Sequence, residues 1–446
     1  MRPRREIESG EGAGTDRGII RSAPAILALL TGLNLLNYID RTVMAAVVSR
    51  VQSDLSISSF ASGSLATVFL TGFFITSPVF GALADRSGRG RRKRLLAAGI
   101  AIWSGATIAS GLAHTVVSLF VARAMVGVGE ASYVVIAPTF IDASSSSGYR
   151  TRAMSVFSAA IPVGSALGYV LGGAVLHSHG WRAVFFVAGA PGLLLALLCL
   201  MIAEPSLPPV ERSPNLRGSL DALRSLVIYR RIVAGYCAYT FALGGFAFWA
   251  PKYLHTTYRL DEGYAGISFG AVTVAAGFAG TMIGGWLGDW LARASKKRLH
   301  SIPVYAPAPS GTEDDGAVAA RNALLCACAA GCGAPLAALA ILSATPRSFY
   351  LWSFLSETCL FLLSGPVNIA ILRSVPAELR ATAMSTCIFF IHLFGDLWSP
   401  PFLGLVADHA RMNVAMLLVP LMFFVAATIW RTARTSNGLT QGVAVR

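Results

Sequence analysis

Charge is what this chain has least of. Asp, Glu, Lys and Arg make up 13% of its 446 residues, 54% are hydrophobic, and mean hydropathy is +0.62. Soluble domains carry about twice that charged share, so a soluble globular fold is excluded. Lysine is nearly absent: only Lys93, Lys252, Lys296 and Lys297 stand among 36 basic residues. Of seven cysteines, Cys326, Cys328 and Cys332 fall inside one apolar stretch and read as small membrane residues; no external pairs suggest a disulfide framework. A metal-spaced His/Asp set, a Gly-x-Ser-x-Gly elbow and a phosphate-binding loop are all missing, so a lipid-modifying enzyme has little footing. No metal or cofactor is expected.

Long apolar runs, by contrast, recur along the whole chain. Each crossing of a bilayer needs about 20 such residues, and the pattern predicts an all-α polytopic membrane protein. The twelve predicted spans are 24–48, 60–84, 95–113, 116–141, 152–175, 182–202, 231–254, 264–289, 321–343, 349–372, 381–404 and 411–432. The first is too long for a signal-peptide core and lacks a clean cleavage site, so it is read as retained.

With residues 1–23 as a cytoplasmic tail, the inner segments hold 28 basic residues and the outer loops six, while Arg41 and Arg123 lie within the membrane. This is the positive-inside asymmetry, and it places both termini in the cytoplasm. The net charge of +14 is therefore a topology signal, and nucleic acid is not an expected partner.

The chain echoes itself. GALADRSGRGRRKR (81–94) is answered by GWLGDWLARASKKR (285–298), and RTRAMS (150–155) by RATAMS (380–385). Two repeats in the same orientation follow, a six-helix bundle over 24–202 and another over 231–432. They are joined by a cytoplasmic linker at 203–230 and followed by a tail at 433–446. The Pro-, Gly- and acid-rich stretch 299–316 reads as a disordered loop insertion.

GALADRSGRGRRKR resembles the cytoplasmic signature of the major facilitator superfamily. The resemblance implies that fold, two six-helix pseudo-repeats around a central cavity. It also implies a cytoplasmic gate: Gly81 for close helix approach, Asp85 with Arg86, Arg89 and Arg91 as a charge latch, Gly88 between them, and Asp289 as the second copy. NYIDR (37–41), RAMVGVGEASYVVIAPTFI (123–141) and IHLFGDLWSPPFLG (391–404) together resemble the Spinster family. That family is associated with lysolipid and sphingolipid transport.

Charges inside the spans cost at least a few kcal/mol each, so their positions matter. At 1.5 Å per residue, Asp40, Arg41 and Arg123 all lie roughly 10 Å below one surface, and Glu130 lies two turns beneath Arg123 on the same face. Glu357 and Asp396 reach a similar depth in the second repeat, with His392 one turn deeper. Glu130 has no basic residue at its own level, which suits proton exchange. Asp40 is read as coupling protons or as a structural ion pair with Arg41 or Arg123. Arg123, a permanent cation, suits either anion binding or pairing with Glu130 or Asp40. Arg41, Glu357, His392 and Asp396 complete the candidate substrate and gating set. Gly164, Gly168 and Gly172 on span five, with Gly173 beside them, read as a helix-packing or rocking surface.

The expected function is secondary-active transport by alternating access, coupled to protons and carrying an amphipathic anion such as a lysolipid. Drugs or small organic anions are the alternative cargo. A monomer surrounded by membrane lipids, in a bacterial inner membrane, is the expected setting. The orientation is open to a direct test: a fluorescent reporter that matures only in the cytoplasm should fluoresce on either terminus, and a dark C-terminal fusion would reverse the assignment.

Overall fold

The computed structural model describes residues 18–86, 91–145, 150–204, 216–299, 312–376 and 379–433. Lipid offers no hydrogen bonds to a bare backbone, so each crossing must satisfy its own peptide groups, and the described residues are accordingly helical. The first half comprises α1 (Ala23–Leu55), α2 (Ser59–Arg86), α3 (Arg91–Gly111), α4 (Val116–Ser144) and α5 (Arg150–Leu200). A short amphipathic helix, α6 (Leu216–Ser225), occupies part of the linker, and α7 (Val227–Tyr258) starts four residues before the expected boundary. The second half continues with α8 (Glu262–Leu299), α9 (Thr312–Ile341), α10 (Pro346–Phe361), α11 (Ser364–Arg373), α12 (Arg380–Ile391), α13 (Ser399–His409), α14 (Met412–Met416) and α15 (Leu418–Thr432).

Twelve crossings emerge from these elements. Ten stretches of the described residues are long and apolar enough to cross a membrane, one of them 42 residues long within α5. That helix is broken at Gly180, whose φ of +79° only glycine adopts easily, so it supplies two crossings. The remaining crossing is α3, which opens on the basic run Arg91–Arg94. Spans ten, eleven and twelve are each interrupted, the eleventh by a π-helical turn over His392–Asp396 between α12 and α13.

The internal repeat extends to helix caps. Thr115 accepts a hydrogen bond from the backbone N–H of Ser118 to start α4, and Thr345 does the same with Ser348 to start α10. Thr345 follows Thr115 by 230 positions, the offset that separates RTRAMS from RATAMS.

Between the halves, α5 packs on α8, α2 on α13, and α1 on α7. Among the described residues, the hydrogen bonds joining the halves lie toward the end of the molecule that carries the α1–α2 turn. There the Asp408 carboxylate accepts from the N–H groups of Ser59 and Phe60 at 2.8 Å each, capping α2 from the opposite half. The Arg50 N–H donates to Glu262 at 2.9 Å, and Lys252 reaches Gln52. Tyr169 donates to the Ala247 carbonyl at 2.6 Å.

Some expectations change here. Residues 312–316 of the supposed loop belong to α9, where Asp315 pairs with Arg373 and, at 2.8 Å, with Arg380. Gly81 is no close-approach glycine, since a side chain there would meet only Val135 at 3.9 Å. The tight α2–α4 contact runs through Gly127, where an added Cβ would collide with the Phe69 carbonyl and the Phe73 nitrogen. Gly129 meets α3 at Trp103 and Gly99 in the same way. The glycine series on α5 divides: Gly164, Gly168 and Gly172 pack on α1 within the first half, and only Gly173 meets the second half, at Gly263. Gly88 and Arg89 lie outside the described residues, as do the side chains of Asp85, Arg86 and Asp289.

Gly127→Leu should therefore lower the thermal stability of the purified protein, since overpacking costs about 1–3 kcal/mol. Gly32 has nothing within 4 Å of an added Cβ, so Gly32→Ala should leave stability unchanged or slightly higher. A melting curve in detergent reads both, and equal behaviour would refute the packing assignment.

Candidate functional site

Gly-x-Gly spacing builds this site locally. At 100° per residue, positions 127, 129 and 130 point to three different sides of α4. Gly127 lets α2 approach and Gly129 lets α3 approach, which leaves Glu130 aimed at α1. There the Arg41 guanidinium donates twice to one carboxylate oxygen, from Nη2 at 2.8 Å and Nε at 3.0 Å. The Glu130 side chain is fully buried and that of Arg41 is 21% exposed. Sequence depth alone left Glu130 without a basic neighbour; the length of the arginine side chain overturns that, because Arg41 reaches well below its own Cα.

Its neighbour Asp40 turns the other way. A step of one residue rotates the side chain about 100° around α1, carrying Asp40 away from the cavity and into the first half. It is fully buried, accepts from Thr107 Oγ1 of α3 at 2.9 Å, and lies 3.5 Å from Arg123 Nη1. Of the two expected partners, Asp40 therefore pairs with Arg123 and not with Arg41, and it does not line the cavity between the halves. The adjacent charges of NYIDR belong to two separate ion pairs.

Phe69 of α2 stands between the two cations. Its ring centroid is 5.1 Å from the Arg41 guanidinium carbon and 5.3 Å from that of Arg123. Tyr38 and Phe73 lie at 5.1 and 5.6 Å from Arg41 as well. Each aromatic face offers partial negative charge to a guanidinium, so the two arginines coexist with ring density between them. Arg123 keeps spare capacity, because its Nε has no hydrogen-bond partner and its Nη1 meets Asp40 only as a 3.5 Å ion pair.

Both arginines line a cavity of about 180 Å³ at the junction of the halves, with Phe69, Tyr169, Phe248 and Asp396 among its walls. Asp396 arrives on the π-helical turn. Gly395 makes this possible: an added Cβ there would strike Thr240 of α7, whose hydroxyl lies 3.0 Å from the Ile391 carbonyl. His392 Nδ1 sits 3.0 Å from both Asp396 oxygens, and its ring lies 5.6 Å from that of Phe74 across the interface. Asp396 is also within electrostatic reach of Arg41.

Thus Asp40, Arg41, Arg123, Glu130, His392 and Asp396 come together around one junction. Glu357 does not join them. It is buried in the second half beside Thr273 of α8, with Oε1 unpartnered. Gly81 likewise stands apart. Sequence reasoning missed Thr107 and Phe69, which carry no local signal, and Asn37, which stood inside a quoted motif. Among the described residues no cluster of His, Cys, Asp and Glu could hold a metal ion.

Twin six-helix bundles enclosing a junction of buried charge define a membrane transporter of the major facilitator class, and the model of the Major Facilitator Superfamily matches residues 30–393. The chain is 32% identical over 436 residues to human protein spinster homolog 1, covering 92% of this chain and 78% of that one. It is 30% identical over 442 residues to a probable sphingolipid transporter of Arabidopsis thaliana, spinster homolog 2, covering 91% and 85%. In fold it is similar to a bacterial homologue of the human lysosomal transporter Spinster in inward-facing form. The TM-score is 0.74 for the unoccupied state and 0.76 for the occupied state, at 21% identity and over 93% and 92% of this chain, or 97% of the other. The chain belongs to the Spinster family of the major facilitator superfamily.

The Arg41–Glu130 pair makes a thermodynamic prediction. Removing one partner strands a buried charge and costs about 3–5 kcal/mol, whereas replacing both with apolar groups is often neutral. Arg41→Met and Glu130→Leu should each lower the melting temperature, and the double variant should recover most of the loss. Additive losses would show that the two side chains are not coupled.

Proposed function

We propose that this transporter moves an amphipathic anion, such as a lysophospholipid or sphingolipid, by alternating access, and that proton movement through Glu130 and Asp40 drives it. The observation that carries the reading is Arg123: a permanent cation on the cavity wall, with Nε unbonded and Nη1 engaged only by a 3.5 Å ion pair to Asp40. A guanidinium matches phosphate or carboxylate geometry with paired donors. Aromatic walls from Phe69, Tyr169 and Phe248 suit the apolar part of such a molecule next to its headgroup. A cavity of about 180 Å³ accommodates a headgroup and not a whole lipid, so the chain would extend along the interface between the halves.

Coupling follows from charge balance. In the unprotonated state Glu130 holds Arg41 and Asp40 holds Arg123. A proton on either carboxyl removes the counter-charge and frees an arginine toward the cavity. An anionic headgroup can then replace the lost carboxylate, so proton and substrate favour one another's binding. With the basic segments inside, the bonded end of the interface faces outward, and Asp408, Glu262 and Lys252 act as the outer gate. Similarity to plant relatives named as probable sphingolipid transporters supports the cargo class, and the family's fold supports alternating access.

The full chain in liposomes under an imposed pH gradient tests this reading. Glu130→Gln and Asp40→Asn should lose most gradient-driven uptake of a fluorescent lysophospholipid, and Arg123→Ala should lose binding by tenfold or more. Unchanged gradient-driven uptake in both carboxyl variants would remove proton coupling. Uptake of small organic anions without the lysolipid would redirect the cargo.

A further inference from the structure

Asn37 is wholly buried on α1, one turn before Arg41, and neither its Nδ2 nor its Oδ1 has a hydrogen-bond partner of ordinary length. Its amide stands close enough to Glu130 for a longer, weaker hydrogen-bonding interaction between the two side chains. Of that carboxyl's two oxygens, Oε2 takes both bonds from Arg41, while Oε1 has no bond of ordinary length. Buried polar atoms in folded proteins nearly always find partners, so an amide and a carboxyl oxygen joined only loosely mark a place where bonding changes.

From this juxtaposition we infer that Asn37 is a positioning residue for Glu130, an amide that serves the carboxyl in both of its protonation states. The inference rests on the proposal that Glu130 carries protons. An ionised carboxylate only accepts hydrogen bonds, whereas a protonated one also donates through its O–H. A guanidinium has no acceptor, so Arg41 serves only the ionised form. Asn37 offers both: Nδ2 donates to Oε1 when Glu130 is ionised, and a half-turn about its terminal torsion presents Oδ1 to the carboxyl proton. The proton itself comes from solution and returns there.

The other groups around Glu130 cannot take this part. On α1, Asp40 is engaged with Thr107 and Arg123, and Tyr38 lies against Arg41. On α4, Arg123 has no acceptor, and Tyr133 already donates to the Leu30 carbonyl at 2.7 Å. Nearby, α2 contributes Phe69 and Phe73 against Arg41, and α3 contributes Trp103 against Gly129 and Thr107 against Asp40, none of them titratable in the working range. From the second half, Asp396 approaches Arg41 and is paired with His392.

Because a hydrogen bond to a charged carboxylate is stronger than one to its neutral form, losing Asn37 should penalise the ionised form more. The test is the pH dependence of fluorescent lysophospholipid uptake by the reconstituted full chain. Asn37→Leu should move the midpoint to higher pH by about one unit, the tenfold effect of one lost hydrogen bond. Asn37→Ala should do the same where the leucine fails to fold. Asn37→Thr, whose hydroxyl both donates and accepts, should stay near the wild-type midpoint. In infrared difference spectra, the protonated-carboxyl band that Glu130→Gln abolishes should rise in frequency in Asn37→Ala. Folded leucine or alanine variants with an unchanged midpoint and band would overturn the inference. Gradient-driven uptake that survives Glu130→Gln would instead remove the coupling reading on which it rests.

Discussion

The contact between Arg41 and Glu130 ties the functional junction of this protein together. Two charges inside a bilayer are tolerable only when paired and shielded from lipid. Satisfying that demand fixes how α1 meets α4, how deep the arginine reaches and which faces α2 and α3 present. A second pair, Asp40 with Arg123, closes the same two helices from the other side. The result is a first half whose central helices are joined by electrostatics instead of by apolar packing alone.

Close backbone approach is what makes such pairing geometrically feasible. Gly127 and Gly129 bring α2 and α3 against α4, and the α5 glycines bring that helix against α1. Side chains at the junction are then held by a rigid frame, with Phe69 fixed between two guanidinium groups. The second half answers differently. It brings Asp396 to the junction on a π-helical turn, an irregularity that often accompanies function, and it buries its own carboxyl, Glu357, elsewhere. The repeats share topology and helix caps but not the placement of charge.

That asymmetry bears on the transport cycle proposed above. The cations that would meet an anion, and the carboxyls that would release them, lie in the first half. The second half contributes Asp396 and, at the end that carries the α1–α2 turn, the capping carboxylate Asp408. In that proposed cycle, rigid-body rocking of two such halves would change which arginine faces an opposing carboxylate, without requiring either ion pair to leave its own bundle.

Much of this protein was legible in its sequence. Hydropathy predicted the crossings, because bilayer thickness and backbone satisfaction leave so few alternatives, and base asymmetry supplied an expected orientation. The repeat and its motifs pointed to the family. Depth counting along α1 and α4 brought Asp40, Arg41, Arg123 and Glu130 to one neighbourhood. What it could not supply was pairing. Adjacent residues on a helix point about 100° apart, so Asp40 and Arg41 face different helices, and an arginine's reach spans more than a helical turn. Which carboxylate met which guanidinium, the exclusion of Glu357, and the places of Asn37 and Thr107 were decided only when four helices packed, because those choices depend on side-chain direction across the bundle and not on position along the chain.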